Sequence, residues 1–184
     1  MKDIKKLLTN ESIDAYMARF NTMLKYKFTE KGDELFIEKM VAESEQVNNL
    51  HVKTKIKDII IENDEPEELG GTNIAPRPME TLLASLANCL EISALLYFSF
   101  SNLKIKSVKV RVEASFDKRA VLTVKEAPLP GFYDFNYTWY IDSEENIKSI
   151  KNVLKKVERN CPVKGTMSRS SEFTEKIILF SKKD

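Results

Sequence analysis

Apolar positions change their period along this chain, and each change marks an element. From about Glu11 to Leu24, Ile13, Tyr16, Met17, Phe20, Met23 and Leu24 recur at helical spacing, with Asn10 or Ser12 placed to cap. Between Lys25 and Asn63 the period drops to two. Leu35-Phe36-Ile37 opens one strand after the Lys31-Gly32-Asp33 turn. Leu50, Val52, Thr54 and Ile56 make the apolar face of another, with His51, Lys53, Lys55 and Lys57 facing water and Asn48-Asn49 as its hairpin turn.

The stretch from Asp64 to Phe100 dominates the rest. An acidic turn leads through Gly70-Gly71 and Pro76-Arg77-Pro78 into a long apolar helix, and Pro78 fits its first turn because a proline there loses no hydrogen bond. About 22 residues without a breaker span roughly 33 Å. Leu82, Leu83, Leu86, Leu90, Ile92, Leu95 and Leu96 point nearly all round the axis, so the helix needs cover on every side. Asn88 and Glu91 lie mid-helix, beside Ser85 and Ser93, which favours a core helix over a bilayer span. No membrane partner is expected. Ala84, Ala87 and Asn88 form a small-residue strip where a partner helix can approach.

Beyond it, Val108, Val110, Val112, Ala114 and Phe116 alternate with polar residues as a half-buried strand, and a second strand is expected at about Val121–Lys125. Pro128-Leu129-Pro130-Gly131 interrupts the pattern. Tyr133, Phe135, Tyr137, Trp139 and Ile141 then form the inward face of a third strand. Ser143 is placed to cap a helix carrying Ile147, Ile150, Val153, Leu154 and Val157, and a last strand is expected from about Phe173 to Phe180. Strands, long helix, strands, helix and strand in this order describe an α+β fold. No linker divides it, so residues 1–184 read as one domain with a helical N-terminal addition at about 1–25.

Composition narrows the function. With 29 basic and 28 acidic side chains the net charge is +1, which argues against nucleic acid as a partner. Two cysteines do not make a disulfide framework, and the N-terminal MKDIKKLLTNESID lacks an apolar signal core, so a cytoplasmic protein is expected. His51 is the only histidine and has no cysteine nearby, so neither a metal nor a cofactor is called for, and a solvent-facing strand residue is its plain reading.

The cysteines carry the chemistry. Cys89 lies in the middle of the long helix, where a lone free cysteine ordinarily acts as a small hydrophobe. Cys161 precedes Pro162 as though at a helix start, where N–H groups and the helix dipole favour a thiolate. Glu80 is nine residues before Cys89, so within one helix the two lie ~13.5 Å apart on opposite faces. Glu80 therefore assists Cys89 only from a partner subunit, or else it is a first-turn glutamate favoured by the dipole.

The run D-E-P-x-x-L-G-G-x-x-x-x-P-x-P-x-E-x-L-L-x-x-L-x-x-C from Asp64 to Cys89, followed by Cys161-Pro162-Val163, resembles the OsmC/Ohr family (osmotically induced protein C and organic hydroperoxide resistance protein) over roughly residues 30 to 180. The resemblance implies antiparallel sheets wrapped around the long central helices of an intertwined homodimer. It also implies a thiol-dependent peroxidase acting on organic hydroperoxides. Cys89 would attack the peroxide and become a sulfenic acid, Cys161 would resolve it as a disulfide, and an unidentified dithiol would reduce that disulfide. The family's hydroperoxidases carry a glutamate directly after the helix-opening proline, paired with an arginine from an N-terminal strand. Here Met79 holds that place and Glu80 follows it, while Arg77 is the arginine at hand, and Arg77 or another cation is expected within a few ångströms of the sulfurs. The alternative is a binding module for a hydrophobic small molecule, with the cysteines as pocket lining.

Overall fold

The computed structural model describes residues 6–101 and 103–178. Helix α1 (Asn10–Tyr26) starts at Thr9, whose hydroxyl accepts from Ser12 N–H. Helix α2 (Glu30–Phe36) stands where a turn and the start of a strand were expected. The capping chemistry explains the difference: the Thr29 hydroxyl accepts from Gly32 N–H at 3.2 Å, with Glu30 and Asp33 in the first turn.

Strands β1 (Glu43–Asn48), β2 (His51–Ile56) and β3 (Ile59–Asn63) form an antiparallel sheet in that order. Asn49, at φ 52°, makes the expected hairpin turn. His51 is not solvent-facing. It is 9% exposed, and its ring nitrogen lies 2.8 Å from Glu62, because β3 brings that carboxylate alongside β2.

The core gathers around helix α3 (Pro78–Ser99). Leu86, Leu90, Ala94 and Phe98 pack one face of α3 on strand β4 (Ile105–Phe116) and helix α4 (Ile147–Asn160), which contributes Ile150, Val153, Leu154 and Val157. Strand β5 (Phe132–Ser143) pairs antiparallel with β4 and adds Tyr137, Trp139 and Ile141 at the core's edge. The short helix α5 (Pro162–Met167) follows α4 directly.

Three sequence expectations fail in this half. Val121–Lys125 is not a strand: a tight turn at Lys118–Val121, capped by Asp117 accepting from Arg119 N–H, leads into irregular chain. Ser143 ends β5 instead of capping the helix; its hydroxyl accepts from Glu145 N–H, and Asn146 caps α4 through Ser149 N–H. Residues 171–178 form no strand, with Phe173 and Ile177 exposed, and Leu179 and Phe180 lie outside the described residues.

The face of α3 opposite the core stays open. Leu82, Ala84, Ser85, Asn88, Ile92 and Phe100 are exposed, so this chain's own packing covers only one side of a helix whose sequence asks for cover all round. Its length and mean hydropathy of 1.5 match a membrane span by composition, but its buried stripe packs on β4 and α4. No described residue of β1–β3 joins the core, and the β2–β3 face carrying Ile56 and Ile59 is exposed as well.

Candidate functional site at the sulfur pair

The loop before α3 is built around one carboxylate. Asp64 is 1% exposed and accepts from the N–H groups of Glu65, Thr72 and Ile74 and from the Thr72 hydroxyl. Those donors, the Thr72 hydroxyl foremost, hold its pKa down at about 2. Gly71 is required because a Cβ there would overlap the Glu65 carbonyl, and Gly70 takes φ 88°. Asn63 ties the loop to α3 by donating to the Pro76 carbonyl at 2.9 Å and to the Thr81 hydroxyl at 2.6 Å.

Arg77 and Glu80 belong to this scaffold. The Arg77 guanidinium pairs with Glu65 at 2.8 Å, and Glu80 accepts from the Arg77 backbone N–H at 2.9 Å, closing the first turn of α3. Arg77 precedes Cys89 by twelve residues, about 18 Å along the helix axis. The expectation that Arg77 lies within a few ångströms of the sulfurs is therefore corrected within one protomer. The nearby carboxylate of Glu65 claims the guanidinium, and helix rise carries Cys89 away. Glu80 is likewise a capping residue in its own chain.

The two cysteines meet. Packing of the apolar stripe of α4 against α3 carries the start of α5 to the middle of α3, where the Cys161 thiol donates to Cys89 Sγ at 3.2 Å. Both are free thiols, their sulfurs about 1.2 Å farther apart than in a disulfide bond. Cys161 is 2% exposed, whereas Cys89 is half-buried. Burial pushes the Cys161 thiol up, and the neighbouring Cys89 adds to the rise. The N–H groups of Lys164 and Val163 at the start of α5 oppose it without forming a capping hydrogen bond. Cys161 therefore keeps its proton, and Cys89 is the sulfur that receives a hydrogen bond and opens to solvent.

That opening is a cleft of about 620 Å³, lined by Ser85, Asn88, Cys89 and Ile92 on α3, by Tyr16 on α1 and by Asn160 and Pro162. Tyr97, two turns beyond Cys89, lines it too. Burial holds its hydroxyl above the ordinary tyrosine value, nearby Tyr16 adds to that, and Asn160 opposes it. Behind Cys161, Tyr137 is pushed up to about 12 by burial and then by the Glu158 carboxylate. Lys164 pairs with Glu158 at 3.9 Å and lies 5.8 Å from the Tyr137 ring centre, so this cation, three residues after Cys161, is already engaged. No group of three or more metal-ligating side chains occurs among the described residues.

Sequence reasoning singled out both sulfurs but missed Tyr16, Tyr97 and Asn160. Two of these had a signal: Tyr97 lies eight residues after Cys89 on the same helix, and Asn160 adjoins Cys161. Tyr16 had none, since its placement depends on where α1 lies.

The family of OsmC-like proteins matches this chain over residues 70–176. An OsmC-like protein from Mycoplasma pneumoniae is similar in structure, with a TM-score of 0.61 at 21% identity over 71% of this chain and 88% of that one. An organic hydroperoxide resistance protein OsmC from Legionella pneumophila has a TM-score of 0.52 at 21% identity, over 71% and 90% of the two chains. An organic hydroperoxide resistance protein from Elizabethkingia anophelis has a TM-score of 0.55 at 16% identity, over 71% and 89%. No curated protein matches the chain.

Proposed function

Since the chain belongs to the OsmC-like protein family, matched over more than half its length, we propose that it is a thiol-dependent peroxidase for organic hydroperoxides. The observation that carries this reading is the sulfur pair: one half-buried sulfur in an open cleft, backed at 3.2 Å by a buried thiol. In the reaction, the Cys89 thiolate attacks the terminal peroxide oxygen. The S–O bond forms as the O–O bond breaks, and the alkoxide leaves as the alcohol after taking a proton. The resulting Cys89 sulfenic acid condenses with Cys161, forming the disulfide and releasing water. An external dithiol then returns two electrons and two protons by thiol–disulfide exchange. The partly apolar cleft suits an organic peroxide and limits access of a second oxidant molecule to the sulfenate.

The working form is an intertwined homodimer. The open face of α3 and the bare face of β2–β3 are both apolar, and a second copy supplies one to the other. The same assembly gives Glu80 and Arg77 a route to catalysis, since each is remote from the sulfurs of its own chain and reaches a site only across the two-fold axis.

Reduced protein treated with cumene hydroperoxide loses two thiols per chain and gains an intramolecular disulfide on this reading. Survival of both thiols in excess peroxide refutes it. A binding module has one observation in its favour, a cleft large enough for a small ligand. It predicts that Cys89→Ser and Cys161→Ser leave ligand affinity nearly intact and that no thiol is consumed.

A further inference from the structure

Helix α1 lies outside residues 70–176, yet it forms one wall of the cleft that holds Cys89. A second chamber, of about 440 Å³, adjoins that cleft. Met17 and Phe20 from α1 line it, with Phe100 from the end of α3 opposite them. Tyr16, Leu96 and Tyr97 line both spaces, so the chamber continues the cleft instead of opening elsewhere. The Tyr16 and Phe100 rings lie 5.4 Å apart at 35°, which holds α1 against α3 at the junction. Each volume falls in the range of small-molecule sites.

We propose that α1 sets the substrate selectivity of the Cys89 site, with Tyr16 and Phe20 as specificity-determining residues whose chamber takes the apolar body of the hydroperoxide while its O–O group lies at Cys89. This inference rests on the peroxidase reading for its substrate class. The apolar side chains explain the occupant. Tyr16, Met17 and Phe20 are each between 38% and 43% exposed on a helix with no buried residue, so part of their apolar surface stays open toward the chamber. The chamber's connection to a reactive sulfur identifies the molecule that reaches it. Because the contact is remote from the breaking bond, it acts on binding: it lowers KM for a bulky peroxide more than it raises kcat.

The test compares kcat/KM for cumene hydroperoxide and hydrogen peroxide in the full-length protein, Phe20→Ala, Tyr16→Ala and the conservative Tyr16→Phe. Both alanine variants should lower the cumene-to-hydrogen-peroxide ratio by roughly tenfold, mainly through KM, and Tyr16→Phe should restore it. An unchanged ratio in both alanine variants overturns the proposal. So does an unchanged ratio with weakened self-association, which would assign the chamber to the second copy. Should wild type consume no peroxide, the peroxidase reading fails by itself. Calorimetric binding of the product alcohol, 2-phenyl-2-propanol, then decides the chamber: weaker binding to Phe20→Ala supports it, and equal or absent binding overturns it.

Discussion

The two halves of this chain fold under different rules. From Pro78 to Met167, α3, β4, β5 and α4 cover one another, and Leu90, Ala94, Phe98 and Val157 are almost wholly buried. From Glu43 to Asn63, three strands pair well backbone to backbone yet contribute nothing to that core, and Ile59 and Ile60 remain 67% and 52% exposed. Hydrogen bonding alone thus makes a sheet, while burial decides whether that sheet is finished. The first half contains its own apolar partner; the second presents an apolar face that nothing in the described chain covers. The sulfur pair belongs to the finished half and opens into a cleft walled by α1.

The largest effects should fall on the sulfurs. Cys89→Ser is expected to reduce peroxide consumption to background, a loss of roughly a hundredfold or more, because no other described cysteine lines the cleft. Cys161→Ser should still lose its remaining thiol to peroxide and stop at a sulfenic acid, detectable by trapping with dimedone and by intact mass. Equal activity in the two single variants and wild type would remove the chemistry from the sulfur pair.

Next comes the contrast in stability. Leu90→Ala should cost about 2–5 kcal/mol in denaturant unfolding, through lost burial and the cavity left in a filled core. Ile59→Asp should leave protomer folding nearly unchanged and instead weaken self-association by about 2 kcal/mol, some thirtyfold in the dissociation constant measured by sedimentation. If Ile59→Asp unfolds the chain as Leu90→Ala does, the two halves are not distinct.

Smaller effects follow from pH. Cys161 has its pKa raised in the fold, so its buried protonated form contributes stability below the ordinary thiol pKa and loses it as pH rises through that value and beyond. Disulfide closure, which requires the Cys161 thiolate, should keep accelerating above the pH where an ordinary thiol reaches its plateau, as stopped-flow measurement after a peroxide pulse would show. Asp64 runs the other way. Its pKa falls from 3.8 to about 2, so its contribution is present above pH 3.8 and is lost as pH falls toward 2. Amide exchange at Thr72 and Ile74 should quicken across that window, and Asp64→Asn should flatten the response.

Much of this protein was written in local pattern. The helix from Pro78, the strand holding Val108 and Val110, the aromatic strand through Tyr137 and the apolar stripe of α4 all follow from period and capping, because each is stabilised by its own residues before any neighbour arrives. The sulfur pair was marked by the two motifs around Cys89 and Cys161. What the periodicity misjudged were segments whose fate depends on a neighbour: Leu35-Phe36 went into a helix capped by Thr29, Val121–Lys125 followed a turn capped by Asp117, and His51 turned inward because β3 brought Glu62 beside it. Arg77 shows the same dependence for the site. Its charge and position in sequence suited a cysteine activator, but Glu65 lies 2.8 Å away and the sulfur about half a helix length off. Sequence determines what a residue is able to bind, through its chemistry and its place on a helix or strand. Tertiary structure decides which partner is near enough, since charge pairing and side-chain hydrogen bonding act over a few ångströms and only the folded chain sets those distances.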